Sequence, residues 1–421
     1  MDIREISLDE YRQFFNHCHG NPFQSPEMYQ RLQKGNKAPV IYGGFEDGNL
    51  KIALMGGKYP FKKLFQYIYC PYGPISLNPL DTELTASFFE TLAKKLKKSR
   101  IVSIVMDPCI ELTELDAFGK EVEGGFNNTW YRETMKEKGF LVPELHYDMT
   151  VLFNPRQVAV IDLAEIENYP GYYSPETAIE KYHSESDQLS LMKERNQRYI
   201  KNGMPSYIKI EEGTIDKLIE MGSMSGEAKD FDFANRQVLE DLKNGFQDKC
   251  RIRHCYLDVP AYREKIEAEL AEIEQTLEEM KDKPVKKKRN MLLDKQKSLQ
   301  TSLEDINSLP VDQLSLACGM FLLSDAETFF LFSGIDRRYR KYQAETWLNW
   351  EQIQDSLKRK VLRYNLLGIA GHYDAKDTKN EGLISYKRGL GAKIVEYMGS
   401  LYYPVQKQMT NMLKNSLEGM H

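Results

Sequence analysis

The stretch Leu316–Leu367, LACGMFLLSDAETFFLFSGIDRRYRKYQAETWLNWEQIQDSLKRKVLRYNLL, reads as strand, strand, helix, strand. Leu316 to Leu323 and Thr328 to Gly334 are apolar runs of strand length, Ala344 to Arg359 has the length and pattern of a helix, and Leu362 to Leu367 is a third strand. The same order occurs earlier in the chain. Lys51 to Tyr59 and Phe65 to Ile75, the latter ending its strand at Gly73, precede an amphipathic helix from Leu84 to Lys98 and a strand from Ile101 to Met106. Ile101 lies 28 residues after Gly73, and Leu362 lies 28 after Gly334. A unit repeated in this register predicts two similar α+β domains.

Between the copies, Tyr262 to Leu309 is dense in Glu, Lys, Leu and Ile and contains no glycine. Ile266, Leu270, Ile273, Leu277 and Met280 recur at steps of four and three, the seam of a coiled coil, and Leu292, Leu299, Leu303 and Ile306 answer on a second arm. Pro284 within Lys281–Pro284 breaks the helix, so the segment reads as a hairpin whose arms, of about 18 residues, project about 27 Å. Lys286, Lys287, Lys288 and Arg289 make its tip basic. Pro260 and Pro310 bracket it as an insertion. The expected organisation is a first domain over 1–150 completed by 396–421, a second over 151–259 and 310–395, and an arm over 260–309.

The 421 residues carry 57 Lys+Arg against 62 Asp+Glu, a formal net charge of -5, so polyanion binding must use local patches. Six dispersed cysteines without a C-x-x-C pair read as reduced thiols of a cytoplasmic protein. Neither His17-Cys18-His19 nor Cys250, His254 and Cys255 has zinc spacing, and no metal or cofactor is expected. With Asp2 and Glu5 at the start no basic leader is expected, and Asp325 and Glu327 interrupt the most apolar region, Leu314 to Phe332, so no membrane span is expected.

Hydrolase and Walker motifs are absent. Gly389-Leu390-Gly391-Ala392-Lys393 lacks the Gly-Lys-Ser/Thr ending of a phosphate loop and reads as a tight turn between strands. Arg195, Arg198 and Lys201 recur on a short helix that Gly203 can cap. Arg337-Arg338-Tyr339-Arg340-Lys341-Tyr342 sets four cations between or beside two aromatics after a strand, a pattern suited to phosphates and stacked bases.

Several features in order resemble the FemABX family of peptidoglycan bridge-forming aminoacyltransferases: Gln24-Ser25, Gly73-Pro74, Asp107-Pro108, Arg195-Asn196 with Lys201 and Gly203, Ser333-Gly334 with Tyr339-Arg340, Trp350-Glu351, Tyr364-Asn365 before Gly368, and Tyr386-Lys387 leading to Glu396-Tyr397-Met398-Gly399. The hairpin looks like the arm of the branch acting on lipid-linked precursors. The resemblance implies two GNAT-like domains facing a cleft, aminoacyl-tRNA as donor and a lipid-linked muropeptide as acceptor at the inner membrane face. It places Lys387 as the catalytic cation for an oxyanion or leaving group. It implies substrate contacts from Gln24, Tyr72, Arg195, Arg198, Lys201, Tyr339, Arg340 and Tyr342, and tRNA contacts from the arm.

This chain departs from the family at three places. Leu32 stands where relatives often carry a muropeptide-binding lysine, leaving Arg31 or Lys34 as substitutes. Phe332 and Phe330 replace tyrosine on an aromatic strand, and Tyr72 stands where arginine commonly precedes Gly-Pro. Two other readings remain: an acyl-coenzyme A N-acetyltransferase on the same fold, whose pyrophosphate would rest on a helix start, and a non-catalytic adaptor using the arm for self-association or for docking a related bridge-forming enzyme.

Overall fold

A computed structural model describes residues 1–35, 37–145, 154–227, 233–281, 286–309, 311–369 and 378–418. Two large sheets dominate it. The first contains β1 (Asp2–Glu5), β2 (Pro39–Glu46), β3 (Asn49–Phe61), β4 (Phe65–Cys70), β5 (Ile75–Ser76), β6 (Ile101–Met106) and, from the far end of the chain, β16 (Leu401–Pro404). The second contains β7 (Gln157–Asp162), β10 (Ile208–Glu212), β11 (Cys250–Asp258), β12 (Gln313–Leu323), β13 (Glu327–Ile335), β14 (Arg363–Gly368) and β15 (Lys393–Glu396), in the order β10-β11-β12-β13-β14-β7-β15. A small sheet pairs β8 (Ala164–Ile166) with β9 (Ile179–Tyr182).

The repeat read from the sequence is a repeat of topology. In each large sheet an antiparallel pair, β3 with β4 or β12 with β13, feeds a helix, Thr82–Leu96 or Ala344–Lys358, which returns the chain to a parallel strand. The parallel partners are 36 positions apart in both: Tyr67 with Ser103, Thr328 with Tyr364. The first helix buries Phe88, Phe89 and Leu92, and the second is buried over most of its circumference, from Thr346 to Trp350 and again at Gln352, Ile353 and Ser356. The fold is α+β, with two large mixed sheets built on the same strand-strand-helix-strand unit.

The copies diverge at their ends. β4 stops at Cys70 rather than continuing to Gly73, because Pro71 and Pro74 offer no ladder N–H and Gly73 lies so close to Cys70 that a Cβ would meet its sulfur at 2.4 Å. Tyr72 there has φ +54°. Gly334 remains inside β13, opposite Cys318. A second correction concerns Gly389–Lys393, expected between two strands. It follows a helix, Thr378–Gly389, whose Ile384 and Lys387 share one buried face at i, i+3 spacing, and Gly391 at φ +90° turns the chain into β15.

The arm consists of helices Val259–Glu279 and Lys286–Asn307 running antiparallel, with Arg263 bonded to Asn307 (2.8 Å) and Lys295 paired with Glu269 (3.2 Å). Ile266, Ile273, Met280 and Ile306 are buried along the seam. Its root rests on aromatics, Tyr262 between Tyr207 (4.5 Å) and Tyr342 (5.6 Å). No helix among the described residues is long and apolar enough to cross a membrane.

The two units meet through apolar contact. Phe329 of β13, fully buried, packs edge-on against Phe23 at 5.4 Å and tilts against Tyr72 at 5.9 Å. Phe329→Ala removes this bridge and is expected to lower the unfolding free energy by about 3–5 kcal/mol, read as a lower urea midpoint at unchanged slope.

Candidate active site

Parallel strands β4 and β6 pair as far as Cys70 and Met106 and then part, β4 entering the Pro71–Pro74 turn and β6 running into Asp107–Ile110. Between the parted ends lies a cavity whose wall includes Gln24, Cys109, Tyr169, Tyr173 and Tyr397. The second sheet closes it, since Glu327 and Arg363, the first residues of β13 and β14, also line it. A cleft at the end of a splayed parallel pair, walled by a second unit, is where a ligand site is expected in a mixed sheet.

Arg363 dominates the electrostatics. Its guanidinium, 3% exposed, bonds Glu111 Oε1 at 2.7 Å and Asp162 Oδ1 at 3.0 Å and lies over the rings of Tyr173 and Tyr169 at 5.1 and 5.5 Å. Lys393 Nζ reaches the other Asp162 oxygen at 2.6 Å. Against burial, Lys393 and Arg363 hold the Asp162 carboxyl well below the usual range. Glu327 behaves oppositely. Burial pushes its carboxyl up to about 7; Arg363 and a hydrogen bond from Asn365 oppose this, while the charges of Glu111 and Asp162 add to it. A second carboxyl near the cavity rim, Asp107, is raised to about 6 by burial although Ser400 (2.6 Å), Tyr69 and Asn154 donate to it.

Lys387 sits outside the cavity wall yet is wired to it. Its side chain is buried and its ammonium donates to the carbonyls of Leu366 (2.7 Å), Leu367 (2.9 Å) and Gly368 (2.7 Å) at the end of β14. These carbonyls converge because the β14–β7 ladder shifts register between Asn365 and Gly368 and Leu367 takes φ +55°. Asn365, fully buried, links this bulge to the cavity: its Nδ2 donates to Glu327 Oε1 at 2.8 Å and its Oδ1 accepts from the Leu367 amide at 2.7 Å. One side chain therefore ties the near-neutral carboxyl to the strand end that Lys387 grips.

The other residues expected from the sequence fall into separate places. Gln24 lines the cavity and its Nε2 holds the Tyr72 carbonyl at 2.7 Å, fixing the turn on the cavity wall. The Tyr72 hydroxyl is buried without a hydrogen-bond partner among the described residues. Arg31 and Lys34 pack helix Pro26–Lys34 against helix Arg236–Phe246. Gly245 abuts the Arg31 backbone, and Lys34 Nζ bonds the Asn244 carbonyl at 2.7 Å. Arg195, Arg198 and Lys201 are exposed on helix Glu194–Lys201, while Asn196 of the same helix is buried and donates to the Gly389 carbonyl at 2.8 Å. In the 3-10 segment Arg337–Tyr342, Arg340 is exposed, and Tyr339 and Tyr342 turn half-buried rings to the core, Tyr342 at the root of the arm. Lys286, Lys287, Lys288 and Arg289 are exposed at the arm's tip. No cluster of three or more metal-ligating side chains occurs among the described residues.

Known proteins decide the family. The FemAB family model matches residues 6–415. The chain belongs to the FemAB family. It is 21% identical to an aminoacyltransferase FemA of Staphylococcus epidermidis over 98% of either chain, and 24% identical to an aminoacyltransferase FemA of Staphylococcus aureus over 90% of this chain and 88% of that one. The crystal structure of FemX shares its fold with a TM-score of 0.72 at 14% identity, covering 98% of this chain and all of that one.

The raised Glu327 carboxyl has a measurable consequence. A carboxyl whose folded pKa lies above its ordinary value favours folding while protonated, and that advantage is lost as pH rises through about 7. Glu327→Gln removes the titration, so the variant's stability relative to the parent should rise between pH 5 and pH 8 by about 3 kcal/mol at most, measured by urea unfolding at both pH values.

Proposed function

We propose that this chain, by family an aminoacyltransferase, moves the amino acid of an aminoacyl-tRNA to an amine of the stem peptide, or of a bridge begun on it, of a lipid-linked peptidoglycan precursor in the cytoplasm. The observation that carries this reading is the family match along nearly the whole chain. The geometry supplies what the chemistry needs. The tRNA ester is already activated, so the protein must hold two reactants together, accept a proton from the attacking amine, and stabilise the oxyanion and the departing ribose oxygen.

Glu327 is suited to the proton. A base works best when its pKa lies near the working pH, and Glu327 faces the cavity with a carboxyl near 7. The amine attacks the ester carbonyl carbon and its proton passes to the Glu327 carboxylate; collapse of the tetrahedral intermediate then breaks the ester C–O bond, and the departing ribose oxygen takes that proton back from Glu327 to leave as the free hydroxyl of the tRNA. Lys387 supplies positive charge for the oxyanion or the leaving oxygen. An ammonium has three donors, and Leu366, Leu367 and Gly368 accept from Lys387, so service to substrate requires it to exchange one carbonyl. The exposed cations of Arg195–Lys201, the Tyr339-Arg340 segment and the arm's tip suit the tRNA phosphates.

The test is turnover: purified protein, radiolabelled aminoacyl-tRNAs offered one amino acid at a time, and lipid-linked precursor. Transfer of label to the precursor is expected; acetylation from acetyl-coenzyme A with no transfer from tRNA would replace this reading by the acetyltransferase. Lys387→Ala should lower kcat and kcat/KM together, the signature of charge used in the transition state, and a rise in KM alone would reassign Lys387 to binding. Charge reversal of Lys286, Lys287, Lys288 and Arg289 should weaken tRNA binding and reduce the slope of log affinity against log salt by about 0.7 to 0.9 for each phosphate that the tip no longer neutralises. Unchanged affinity and slope would turn the arm into a protein-docking element.

A further inference from the structure

The charge of this acidic chain is unevenly laid out. No Asp or Glu occurs between Gly48 and Leu80, between Thr91 and Met106, or between Tyr397 and Leu417. The fold brings one segment of each stretch to one end of the first sheet. The β3–β4 hairpin turns there through Lys62-Lys63-Leu64, with Phe61 paired to Phe65. β6 runs parallel to β4, which brings its leading segment Lys97–Arg100 to the same end, where the Gln66 amide donates to the Arg100 carbonyl at 2.9 Å. β16 runs antiparallel to β6 and finishes there, the Gln406 amide bonding the Val102 carbonyl at 2.9 Å, and helix Lys407–Glu418 departs alongside. Lys62 Nζ reaches Met412 of that helix at 3.6 Å.

The result is a face on which Lys62, Lys63, Lys97, Lys98, Arg100 and Lys407 are all exposed, surrounding Leu64 at 65% and Met412 at 47% exposure. A turn in water normally carries polar residues; here an exposed leucine follows two lysines at the tip, above a framework stiffened by Tyr59 stacked on Tyr67 at 5.6 Å. Cations flanking an exposed apolar side chain are the arrangement that a bilayer interface rewards, lysines meeting lipid phosphates while the apolar group enters the acyl boundary. We infer that this end of the first sheet docks on an anionic lipid bilayer, with Leu64 inserted and the six cations on the headgroups. The cavity lies at the other end of β4, about 17 Å away at 3.3 Å per residue from Phe65 to Cys70. A bilayer-anchored acceptor would thus present its peptide to the cavity while its lipid stays in the membrane. That consequence rests on the proposed lipid-linked acceptor; the docking itself does not.

The experiment is co-sedimentation of the full chain with vesicles of phosphatidylcholine alone or mixed with phosphatidylglycerol, over a range of salt. Binding to the mixed vesicles only, weakening with salt, is expected. Lys62→Gln with Lys63→Gln should weaken it about 30-fold and Leu64→Ser about tenfold, with melting curves like the parent's because these side chains are exposed. Equal binding of parent and variants, binding that ignores lipid charge, or no binding would overturn the inference, as would loss of tRNA affinity in the patch variants without any vesicle binding. If the parent transfers amino acids, the patch variants should lose turnover on vesicle-embedded acceptor and keep it on detergent-solubilised acceptor; equal loss on both would overturn docking. A parent that binds anionic vesicles but transfers nothing would sink the proposed reaction and leave the docking face intact.

Discussion

The ion cluster around Arg363 constrains the rest of the molecule. Its members come from four separate parts of the chain: Glu111 after β6, Asp162 on β7, Arg363 on β14 and Lys393 on β15. Arg363 and Glu111 are both about 3% exposed, and charges so buried survive only when paired, so these four segments must meet in one register. Removing one partner would leave another charge stranded in low dielectric, a far larger loss than a surface pair would suffer. The cluster is also balanced, two cations against two carboxylates. Glu327 is then a surplus third carboxyl at the same seam. With Arg363 already shared between Glu111 and Asp162, nothing fully offsets the burial of Glu327, and its proton affinity rises.

The same parallel-pair geometry is used differently in the two units. In the first sheet the parted ends of β4 and β6 are held open by a proline-rich turn that Gln24 fastens, and a cavity results. In the second, β13 and β14 pair only from Glu327 to Phe329 and from Arg363 to Asn365. Past Asn365, β14 bulges and its carbonyls take the Lys387 ammonium, while Tyr364, within the pair, and Tyr386 hold the two ends of the Asn349 amide. One splay is thus a vessel and the other its support, which is why the polar side chains of the second unit can be placed so exactingly against the cavity of the first.

How much of this the sequence disclosed follows from the range of each signal. Strand and helix periodicity is local, so the repeated unit and the two arms of the hairpin were legible residue by residue. The family motifs pointed to Gln24 and Lys387, but not to what each touches. Glu327 was legible only as a charge interrupting an apolar run, and Arg363 not at all. Their significance comes from neighbours more than 35 residues away, and no spacing rule connects Glu111, Asp162, Glu327 and Arg363. A carboxylate opening a buried strand, as in Ala326-Glu327-Thr328-Phe329, was the one available hint, since such a residue is rarely buried without a task. Arg31 and Lys34 read as ligand-binding because they neighbour an expected lysine, and the sequence did not reveal that Gly245 abuts the Arg31 backbone or that Lys34 reaches the Asn244 carbonyl.

Charge layout carries the last step. An acidic chain repels polyanions at long range, so each polyanion approaches only where a basic patch reverses the local potential. The patches here lie apart: one at the arm's tip, another on helix Glu194–Lys201, a third at the hairpin end of the first sheet. On the proposed reaction both substrates are polyanions, a tRNA and a lipid-linked precursor. Were their patches contiguous, the larger and more highly charged tRNA would cover both. Carrying them on separate elements of a chain whose net charge is -5 lets donor and acceptor be gathered by different patches. On that reading the cavity between the sheets is where the ester carbonyl and the amine, rather than their anionic carriers, are brought together.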